Sequence, residues 1–505
     1  MSGPVPANLP PPLVAAIEAV NRNPGDLGAL FRLGGMMHDY GEHEQAAKVR
    51  DHIVAMVTQA IGKGSPPPDQ IANILQFLYQ SFVKKIETEA QARACFQSWL
   101  KPVVEYGRRF RDPALPLPLW QPTGQRPWRA AFFLQAPTIL GHTEAMLELL
   151  EHRPRGLAGW SDEPIVYLFT GQNPDLAQRV AALGARLVSV QSEMQTHGFY
   201  TQLQWLRRHI ADNGVSHFVW VSAPPTSELS MAMQLAPVQV FWTLKFHPYQ
   251  IPDIDGYITY GAWSEQTRIM HGETWQVVPF MMSKPSPPVS EAEVTATRAR
   301  FAQHDILFGT LARTEKMNAT PFLDAVVRIL RENPKAGFLW TGREQHAGIQ
   351  AHFERGGVAA QCHFIGWVST PLYARVLDIF LESFPFGCGL TGIQGLEAGT
   401  AFLSFEAPET QYGMHFMRPL AENGAAAQEI RGLLQPTDGS GPLLYAANAD
   451  AYVALAGRLA REPDFRQQVG AAGQAYYRRY LTASDRMAQR FMQVLTDMKK
   501  PGEGM

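Results

Sequence analysis

Residues Ile379–Gly399 read IFLESFPFGCGLTGIQGLEAG, which is an apolar run, then a glycine-rich turn, then a helical pattern. The run Ile379–Phe384 predicts a buried β-strand, and the turn Gly387–Gly392 predicts a tight bend that opens a helix. A strand that leads through a short turn into a helix is the building unit of a parallel sheet. This stretch therefore indicates an α/β fold.

The same unit recurs from residue 130 onward. Strand-like runs alternate with helical stretches such as Phe199–Asn213 and Thr320–Asn333, which implies parallel sheets covered by helices on both faces. The proline cluster Pro285–Pro288 interrupts the alternation once, so we predict two Rossmann-like halves. The predicted strands are Ala130–Leu134, Pro164–Phe169, Ala185–Val190, Ser216–Val221, Val238–Thr243, Tyr257–Thr259, Ile306–Gly309, Ala336–Thr341, Cys362–Gly366 and Ile379–Phe384.

The chain before these halves has a different pattern. Residues 13–111 carry apolar residues three and four apart and are predicted to be helical. The stretch Leu30–Ala47 resembles one tetratricopeptide-type helical pair, and a generic helical domain is equally open. The predicted domains are an all-helical N-terminal domain (1–112), a proline-rich linker (113–128), two Rossmann-like domains (129–285 and 286–480) and a C-terminal helix that packs back on the core (481–505).

Composition excludes several classes of function. The chain has 505 residues, 18% of them charged, and a formal charge of −2, which argues against a nucleic-acid partner. No apolar run is long enough to span a membrane, and the first residues lack the pattern of a signal peptide, so we expect a cytoplasmic protein. Cys95, Cys362 and Cys388 are too few and too scattered to indicate a disulfide framework or a zinc site.

Two loops are candidates for binding an anion. The loop Gly309–Asn318 (GTLARTEKMN) follows a predicted strand and precedes a helix that starts near Thr320. Free amides and the helix dipole favour negative charge at a helix N-terminus. Lys316 would add a positive point charge, and Arg313 would add a guanidinium group that can donate two parallel hydrogen bonds. From the residues alone, a solvated basic loop is an equal alternative.

The turn Gly387–Gly392 is the second candidate. Its glycines let the backbone approach a phosphate closely, and the Thr391 hydroxyl is a natural partner. Its glycine spacing also matches the dinucleotide-binding pattern, so an NAD(P) or flavin oxidoreductase is an alternative. That pattern usually follows the first strand of its fold, and only Glu406 and Glu409 lie near the expected place of the ribose-binding acid.

Two histidines follow predicted strands of the first half. His142 comes after Ala130–Leu134, and His247 comes after Val238–Thr243. Ligands of such folds bind at the carboxyl ends of the strands, and a histidine there can serve as a general base near neutral pH. A structural role is an equal alternative for either one. As the base, His142 is the first choice and His247 the second.

The order of these segments resembles that of the O-GlcNAc transferase-type glycosyltransferases. It is closest to their bacterial branch, which includes the N-glucosyltransferases that modify adhesins. The Lys316 loop stands where this family has its diphosphate-binding lysine. The other matching segments are Gly141-His142-Thr143, Leu235–Gln239 followed by Phe246-His247-Pro248, Asp255–Ile258, and Phe384–Thr400.

The resemblance implies a GT-B architecture, with a UDP-sugar in the C-terminal half and an acceptor entering from the N-terminal side. It implies an inverting transfer of a hexose or N-acetylhexosamine to a protein, peptide or glycan, with no metal or other cofactor. Lys316 and helix amides would then stabilise the departing UDP. The candidate catalytic residues are His142, His247 and Lys316. The candidate nucleotide-sugar contacts are Thr310, Arg313, Lys316, Gly387, Gly389, Thr391, Gly392, Gln394 and Glu397.

The sequence also departs from the family at the glycine turn. Leu390 replaces a polar residue, and Gln394 stands where many relatives have an acid that binds the ribose. Gln394 is a weaker hydrogen-bond acceptor than a carboxylate, and Glu397, one helical turn further on, is a candidate replacement. These departures leave open a second class of function, a scaffold or binding protein whose GT-B core has lost catalysis.

Overall fold

The structure, a computed structural model, describes sixteen ranges of the chain. They are residues 9–40, 42–63, 68–81, 102–111, 127–139, 141–195, 197–221, 226–244, 253–260, 266–270, 273–279, 285–342, 346–384, 387–405, 445–446 and 448–498. No helix in these ranges is long and apolar enough to cross a membrane.

Helices precede and cover two sheets. The helices are α1 (Pro11–Arg22), α2 (Leu27–Asp39), α3 (His43–Gly62), α4 (Pro68–Ser81), α5 (Gly141–His152), α6 (Pro174–Ala182), α7 (Val190–Glu193), α8 (Phe199–Asp212), α9 (Ser227–Ala232), α10 (Glu291–Ala299), α11 (Thr314–Met317), α12 (Thr320–Glu332), α13 (Ala347–Arg355), α14 (Thr370–Val376), α15 (Leu390–Ala398), α16 (Ala449–Arg461), α17 (Pro463–Tyr476) and α18 (Ser484–Asp497). Residues 102–108 are also helical, Ala359–Gln361 form a 3-10 turn, and Tyr477–Leu481 form a π-helical turn.

The strands are β1 (Ala130–Leu134), β2 (Ile165–Leu168), β3 (Arg186–Ser189), β4 (His217–Trp220), β5 (Val238–Trp242), β6 (Gly256–Thr259), β7 (Thr267–Met270), β8 (Glu273–Val277), β9 (Ile306–Thr310), β10 (Ala336–Trp340), β11 (Cys362–Phe364), β12 (Ile379–Leu381), β13 (Ala401–Phe405) and β14 (Tyr445–Ala446).

The strands form two separate sheets. The first half of the α/β region has the order β3-β2-β1-β4-β5-β6-β8-β7, and the second half has the order β11-β10-β9-β12-β13-β14. All pairs are parallel except β7 with β8. In each sheet the chain starts in the middle, winds outward, and returns on the other side of its first strand. The reversal lies between β1 and β4 in the first half and between β9 and β12 in the second, and ligands of doubly wound sheets bind at this position.

The central strands are almost wholly apolar because both faces of each sheet are covered there. Successive side chains of a strand point to opposite faces. In β1, Phe132 and Leu134 face one buried cluster, while Ala131 and Phe133 face a second. The second cluster continues into the buried residues of α1–α4, so the helical N-terminal region shares a core with the first half.

Ion pairs and hydrogen bonds reinforce this docking. Arg108 donates from Nε to Asp253 Oδ2 at 3.0 Å, and Arg111 pairs with the other oxygen of the same carboxylate. Asp69 of α4 accepts a hydrogen bond from the Tyr200 backbone amide at 2.9 Å. Asp255 accepts a hydrogen bond from the Gln239 amide at 2.7 Å, and burial raises the pKa of its carboxyl to about 6. Asp253 therefore joins the N-terminal helical region to the first half, and Asp255 holds the start of β6 against β5.

The last helix, α18, returns to the first half. Its Phe491 is fully buried, with ring centroids 4.6 Å from Trp242 and 6.2 Å from Phe132. Ser484, at its first position, donates a hydrogen bond to the buried Glu148 at 2.5 Å. The chain therefore passes between the halves twice, once before β9 and once between α17 and α18.

The predicted fold class, two Rossmann-like parallel sheets behind a helical region, is confirmed. The ten predicted strands appear with ends within a few residues, except that the strand predicted to reach Phe384 ends at Leu381 because Glu382 and Ser383 begin the turn. The hairpin β7–β8 was missed, since its residues alternate too weakly in polarity, and β13 and β14 were missed as well. The proposed domain boundaries stay predictions, and the linker prediction lies largely outside the described residues.

A histidine pair in the second half predicts a pH-dependent stability. His304 and His363 place their Nε2 atoms 2.8 Å apart, and burial lowers the pKa of both rings. The unfolded chain therefore binds more protons below pH about 6.5, and the free energy of unfolding falls as the pH decreases through that range. We expect the midpoint of thermal unfolding to drop less between pH 8 and pH 5 in His363→Gln than in the wild type. Equal drops in the two proteins would contradict this account.

Candidate functional site

The candidate site lies where β9 and β12 meet at the reversal of strand order in the second half. Ile379 pairs with Phe308, and both strands end at the same edge of the sheet because they are parallel. The loop after β9 carries Lys316, and the loop after β12 is the glycine turn. The sequence separates these loops by about seventy residues, and the topology brings them together.

Lys316 contacts the glycine turn directly. It lies on the short helix α11, is half-buried, and donates a hydrogen bond from Nζ to the Gly387 carbonyl oxygen. The neighbouring Met317 is fully buried and anchors this helix in the core. The amide of Lys316 also donates to the Arg313 carbonyl at 2.9 Å, which closes the helical turn. A cation is therefore fixed beside the turn by the local fold.

The glycine turn bends sharply at Gly389 and starts helix α15. Gly389 has φ +63°, a conformation that glycine adopts without strain and other residues rarely do. Its carbonyl accepts from the Gly392 and Ile393 amides at 2.9 and 3.2 Å, so the helix begins at once. Thr391 donates its hydroxyl proton to the Cys388 carbonyl at 3.0 Å. The first amides of such a helix have no partner within it and suit an anion.

A buried carboxylate supports the turn from below. Glu382, only 2% exposed, accepts from the Cys388 amide at 3.2 Å and from the Ser404 hydroxyl. The Tyr452 hydroxyl donates to the Glu382 carbonyl at 3.0 Å. Burial and the adjacent Glu382 raise the pKa of the Cys388 thiol to about 12, so this cysteine is not a thiolate nucleophile at neutral pH.

The three predicted nucleotide-sugar contacts Thr310, Arg313 and Gln394 differ in burial and in hydrogen bonding. Thr310 is fully buried and donates its hydroxyl proton to the Leu381 carbonyl at 2.7 Å, which ties β9 to β12. The half-buried Arg313 guanidinium forms no hydrogen bond or ion pair with the described residues. The Gln394 side chain, also half-buried, has no such partner in the same part of the chain. Their roles as nucleotide contacts stay predictions.

Glu397 lies near the other end of α15. Its carboxylate accepts two hydrogen bonds from Ser286, one from the amide at 2.8 Å and one from the hydroxyl. Ser286 belongs to the segment that enters the second half. The carboxylate is thus already engaged away from the glycine turn, and its predicted contact with a ribose stays a prediction.

The two candidate histidines belong to the first half. His142 is half-buried in the first turn of α5, directly beyond the end of β1 and at the reversal of strand order in that sheet. His247 lies outside the described residues. Which of the two acts as the base stays a prediction.

Sequence reasoning missed Trp367, which lies at the same edge of the second sheet. Its side chain is 66% exposed, unusual for tryptophan, and follows Gly366 just beyond β11. Hydrogen bonds connect its loop to the Lys316 loop across the strand ends. The Thr341 hydroxyl donates to the Ala312 carbonyl at 2.7 Å, and the Gly342 amide donates to the Gly366 carbonyl at 3.3 Å. An aromatic residue directly after a glycine at a strand end was the signal available in the sequence.

A cluster of side chains that could bind a metal ion lies in the first half, outside the candidate site. Glu148, Glu151 and His152 are the one set in the described ranges with three donor atoms within 4.8 Å of one another. His152 pairs with Asp485 at 2.7 Å, and Glu148 accepts from Ser484. His152 and Glu148 therefore join α5 to α18.

The structure is similar to those of known glycosyltransferases. A lysine-to-methionine mutant of the O-GlcNAc transferase from Thermobaculum terrenum superposes with a TM-score of 0.65 at 14% identity, over 96% of this chain and 86% of the other. HepE from Anabaena, in complex with UDP and glucose, gives 0.48 at 10% identity over 73% of this chain and 99% of the other. A glycosyltransferase from Rickettsia africae gives 0.48 at 10% identity over 74% and 98%.

Sequence comparison adds nothing to this result: no protein-family model and no curated protein matches the chain. The likeness to the O-GlcNAc transferase covers the helical region as well as both sheets, since it extends over nearly the whole chain. The protein therefore has the two-sheet GT-B fold of the O-GlcNAc transferase-type glycosyltransferases, preceded by a helical N-terminal region.

Proposed function

We propose that the protein is a glycosyltransferase that takes a sugar from UDP and transfers it to a protein, peptide or glycan. The observation that carries this proposal is the contact between Lys316 and Gly387 in the crevice between β9 and β12. It combines a cation, a glycine-rich bend and a helix N-terminus at one point, which is the chemistry that binds a diphosphate. Solved proteins of similar fold carry UDP and sugars, which fits this choice of donor.

The proposed reaction is a single displacement that inverts the anomeric carbon. The acceptor atom forms a bond to this carbon while the bond to the β-phosphate oxygen breaks, and the electron pair leaves with UDP. Lys316, Arg313 and the first amides of α15 stabilise the charge that develops on the diphosphate. We assign this role to the protein groups and propose that no metal takes part. His142 accepts the proton that the acceptor loses.

Trp367 is the proposed platform for the uracil base. Its strand, β11, lies two strands away from β9, which at ordinary strand spacing places it about 10 Å from the Lys316 loop. The ribose and the α-phosphate fill such a distance between a base and a β-phosphate. An exposed tryptophan face suits base stacking because every base presents a π-face.

The scaffold alternative rests on Leu390 and Gln394, which replace polar and acidic residues of the family. A scaffold that has lost its site would not bind UDP at millimolar concentration. Titration calorimetry of the full chain with UDP therefore separates the two functions.

Replacement of Lys316 tests the diphosphate site. We expect Lys316→Ala to slow UDP release from the UDP-sugar used by the wild type by about 10²–10³-fold, because loss of one such charge costs about 2.7–4 kcal/mol in the transition state. The matched control is Lys335→Ala, since the Lys335 side chain is exposed and pairs with Asp305 Oδ2 at 3.5 Å, at the start of the strands. Equal rates for wild type and Lys316→Ala would remove Lys316 from the site.

Replacement of Trp367 tests the base platform separately from the diphosphate. We expect Trp367→Ala to weaken UDP binding by about 1–3 kcal/mol, and Trp367→Phe to retain most of the affinity. Binding of inorganic pyrophosphate, which has no base, is expected to be unchanged in Trp367→Ala and weakened in Lys316→Ala. A parallel loss for UDP and pyrophosphate in Trp367→Ala would show that the residue acts on the shape of the site and not on the base.

A further inference from the structure

Helix α15 connects the candidate nucleotide site to the junction between the two halves. It begins at the glycine turn, at Leu390, and ends at Ala398, a length of about 13 Å. Glu397 lies in its last turn. A shift of the helix N-terminus on nucleotide binding therefore moves the Glu397 end as well, because a short helix behaves as a rigid rod.

The Glu397 carboxylate contacts both segments that pass between the halves. The first crossing is the segment that leads into the second half before β9. In it, Ser286 donates its amide proton to the Glu397 carboxylate at 2.8 Å, and it donates its hydroxyl proton as well. From the second crossing, the Tyr477 hydroxyl hydrogen-bonds the same carboxylate, and burial together with this negative charge raises the pKa of Tyr477 to about 12. One side chain thus holds two segments that are almost two hundred residues apart in sequence.

This position is electrostatically unfavourable for an acid. The C-terminal end of a helix carries partial negative charge, so a carboxylate in the last turn is disfavoured. The last turn of α15 has no basic residue to offset it. The Ser286 and Tyr477 donors compensate this charge, and the arrangement is stable only while both crossings stay in place.

The second crossing, between α17 and α18, has the form of a hinge. Helix α17, which precedes it, packs tightly against α15. Tyr477–Leu481 form a π-helical turn, a distortion that often occurs at functional sites. A Cβ at Gly470 of α17 would collide with the Gly399 carbonyl oxygen, and Gln474 donates to the Glu397 carbonyl at 2.8 Å. Helices α15 and α17 are therefore tightly packed, and the bend falls between them and α18, which packs on the first half.

We infer that Glu397 is a positioning residue that couples occupation of the glycine turn to the closing of the two halves over the bound nucleotide. This inference rests on the proposed function and extends it. Nucleotide binding shifts the preformed N-terminal end of α15, and Glu397 transmits this shift to Ser286 and Tyr477. The hydrogen bonds of Ser286 and Tyr477 to Glu397 then set the orientation of the first half, which would bind the acceptor, relative to the second half, which would bind the donor.

The test combines titration calorimetry with small-angle scattering of the full chain, with UDP as the probe. We expect the radius of gyration of the wild type to decrease when UDP saturates it. Tyr477→Phe, which removes one donor to Glu397 and leaves every predicted nucleotide contact in place, is expected to bind UDP with an affinity within roughly twofold of wild type, less than a 1 kcal/mol change, and to lose part of the contraction. Glu397→Ala is expected to lose most of the contraction. Glu354→Ala, which removes an exposed carboxylate of α13, serves as the control and is expected to contract like the wild type.

Further variants separate coupling from stability. If Glu397→Ala lowers the unfolding midpoint too far, Tyr477→Phe removes a single hydroxyl and is expected to reduce the contraction in part. Glu397→Gln keeps the shape of the side chain and one acceptor oxygen, and is expected to restore part of the contraction lost in Glu397→Ala.

Several outcomes would overturn the inference. Full contraction in Glu397→Ala would remove the coupling role and leave the proposed function intact. A large loss of UDP affinity in Glu397→Ala would place the carboxylate at the nucleotide. A wild type that binds UDP without any decrease in its radius of gyration would show that the halves do not close, and the inference would fail. A wild type that does not bind UDP at all would overturn the proposed function and this inference together.

Discussion

The contact between Lys316 and Gly387 depends on the pairing of β9 with β12, and most of the candidate site depends on that pairing in turn. The chain leaves β9, builds β10 and β11 on one side, and returns to place β12 on the other. Two loops that are distant in sequence then emerge side by side at the reversal. Thr310 reinforces the pairing by donating its hydroxyl proton to the Leu381 carbonyl inside the core. A cation can remain beside the turn because the strands beneath it cannot separate without exposing the buried side chains of the core.

The glycine turn is held from two directions. Glu382 hydrogen-bonds the Cys388 amide from below, and Lys316 hydrogen-bonds the Gly387 carbonyl from the side. A buried carboxylate is costly unless donors satisfy it, so Glu382 favours the one turn conformation that presents the Cys388 amide to it. The backbone shape suited to a phosphate is thus set before any ligand arrives, which lowers the ordering cost of binding.

The sequence predicted the sheets well because strands covered on both faces are continuous apolar runs, as in Phe218–Val221 and Phe338–Trp340. It also indicated the Lys316 loop and the glycine turn as two separate candidates for binding an anion, since both follow strands and precede helices, and the structure brings them into contact. Glu382, Trp367 and the Ser286 contact of Glu397 could not be predicted in this way. Their surroundings come from segments far away in sequence, and neither strand periodicity nor a local motif indicates which distant donor a carboxylate will meet.

The charges around the site give the departures from the family a physical meaning. With Gln394 neutral and Glu397 engaged by Ser286, the acidic groups described near the glycine turn are compensated by donors. In the proposed site, Lys316 and Arg313 would meet a diphosphate with little competing negative charge from the described residues, which favours its binding at low dielectric. Because Leu390 offers no polar contact, the proposal assigns the remaining stabilisation to the helix amides and these two cations. The site therefore depends more on a fixed backbone than on side-chain hydrogen bonds, and the support that Glu382 gives the turn becomes correspondingly important.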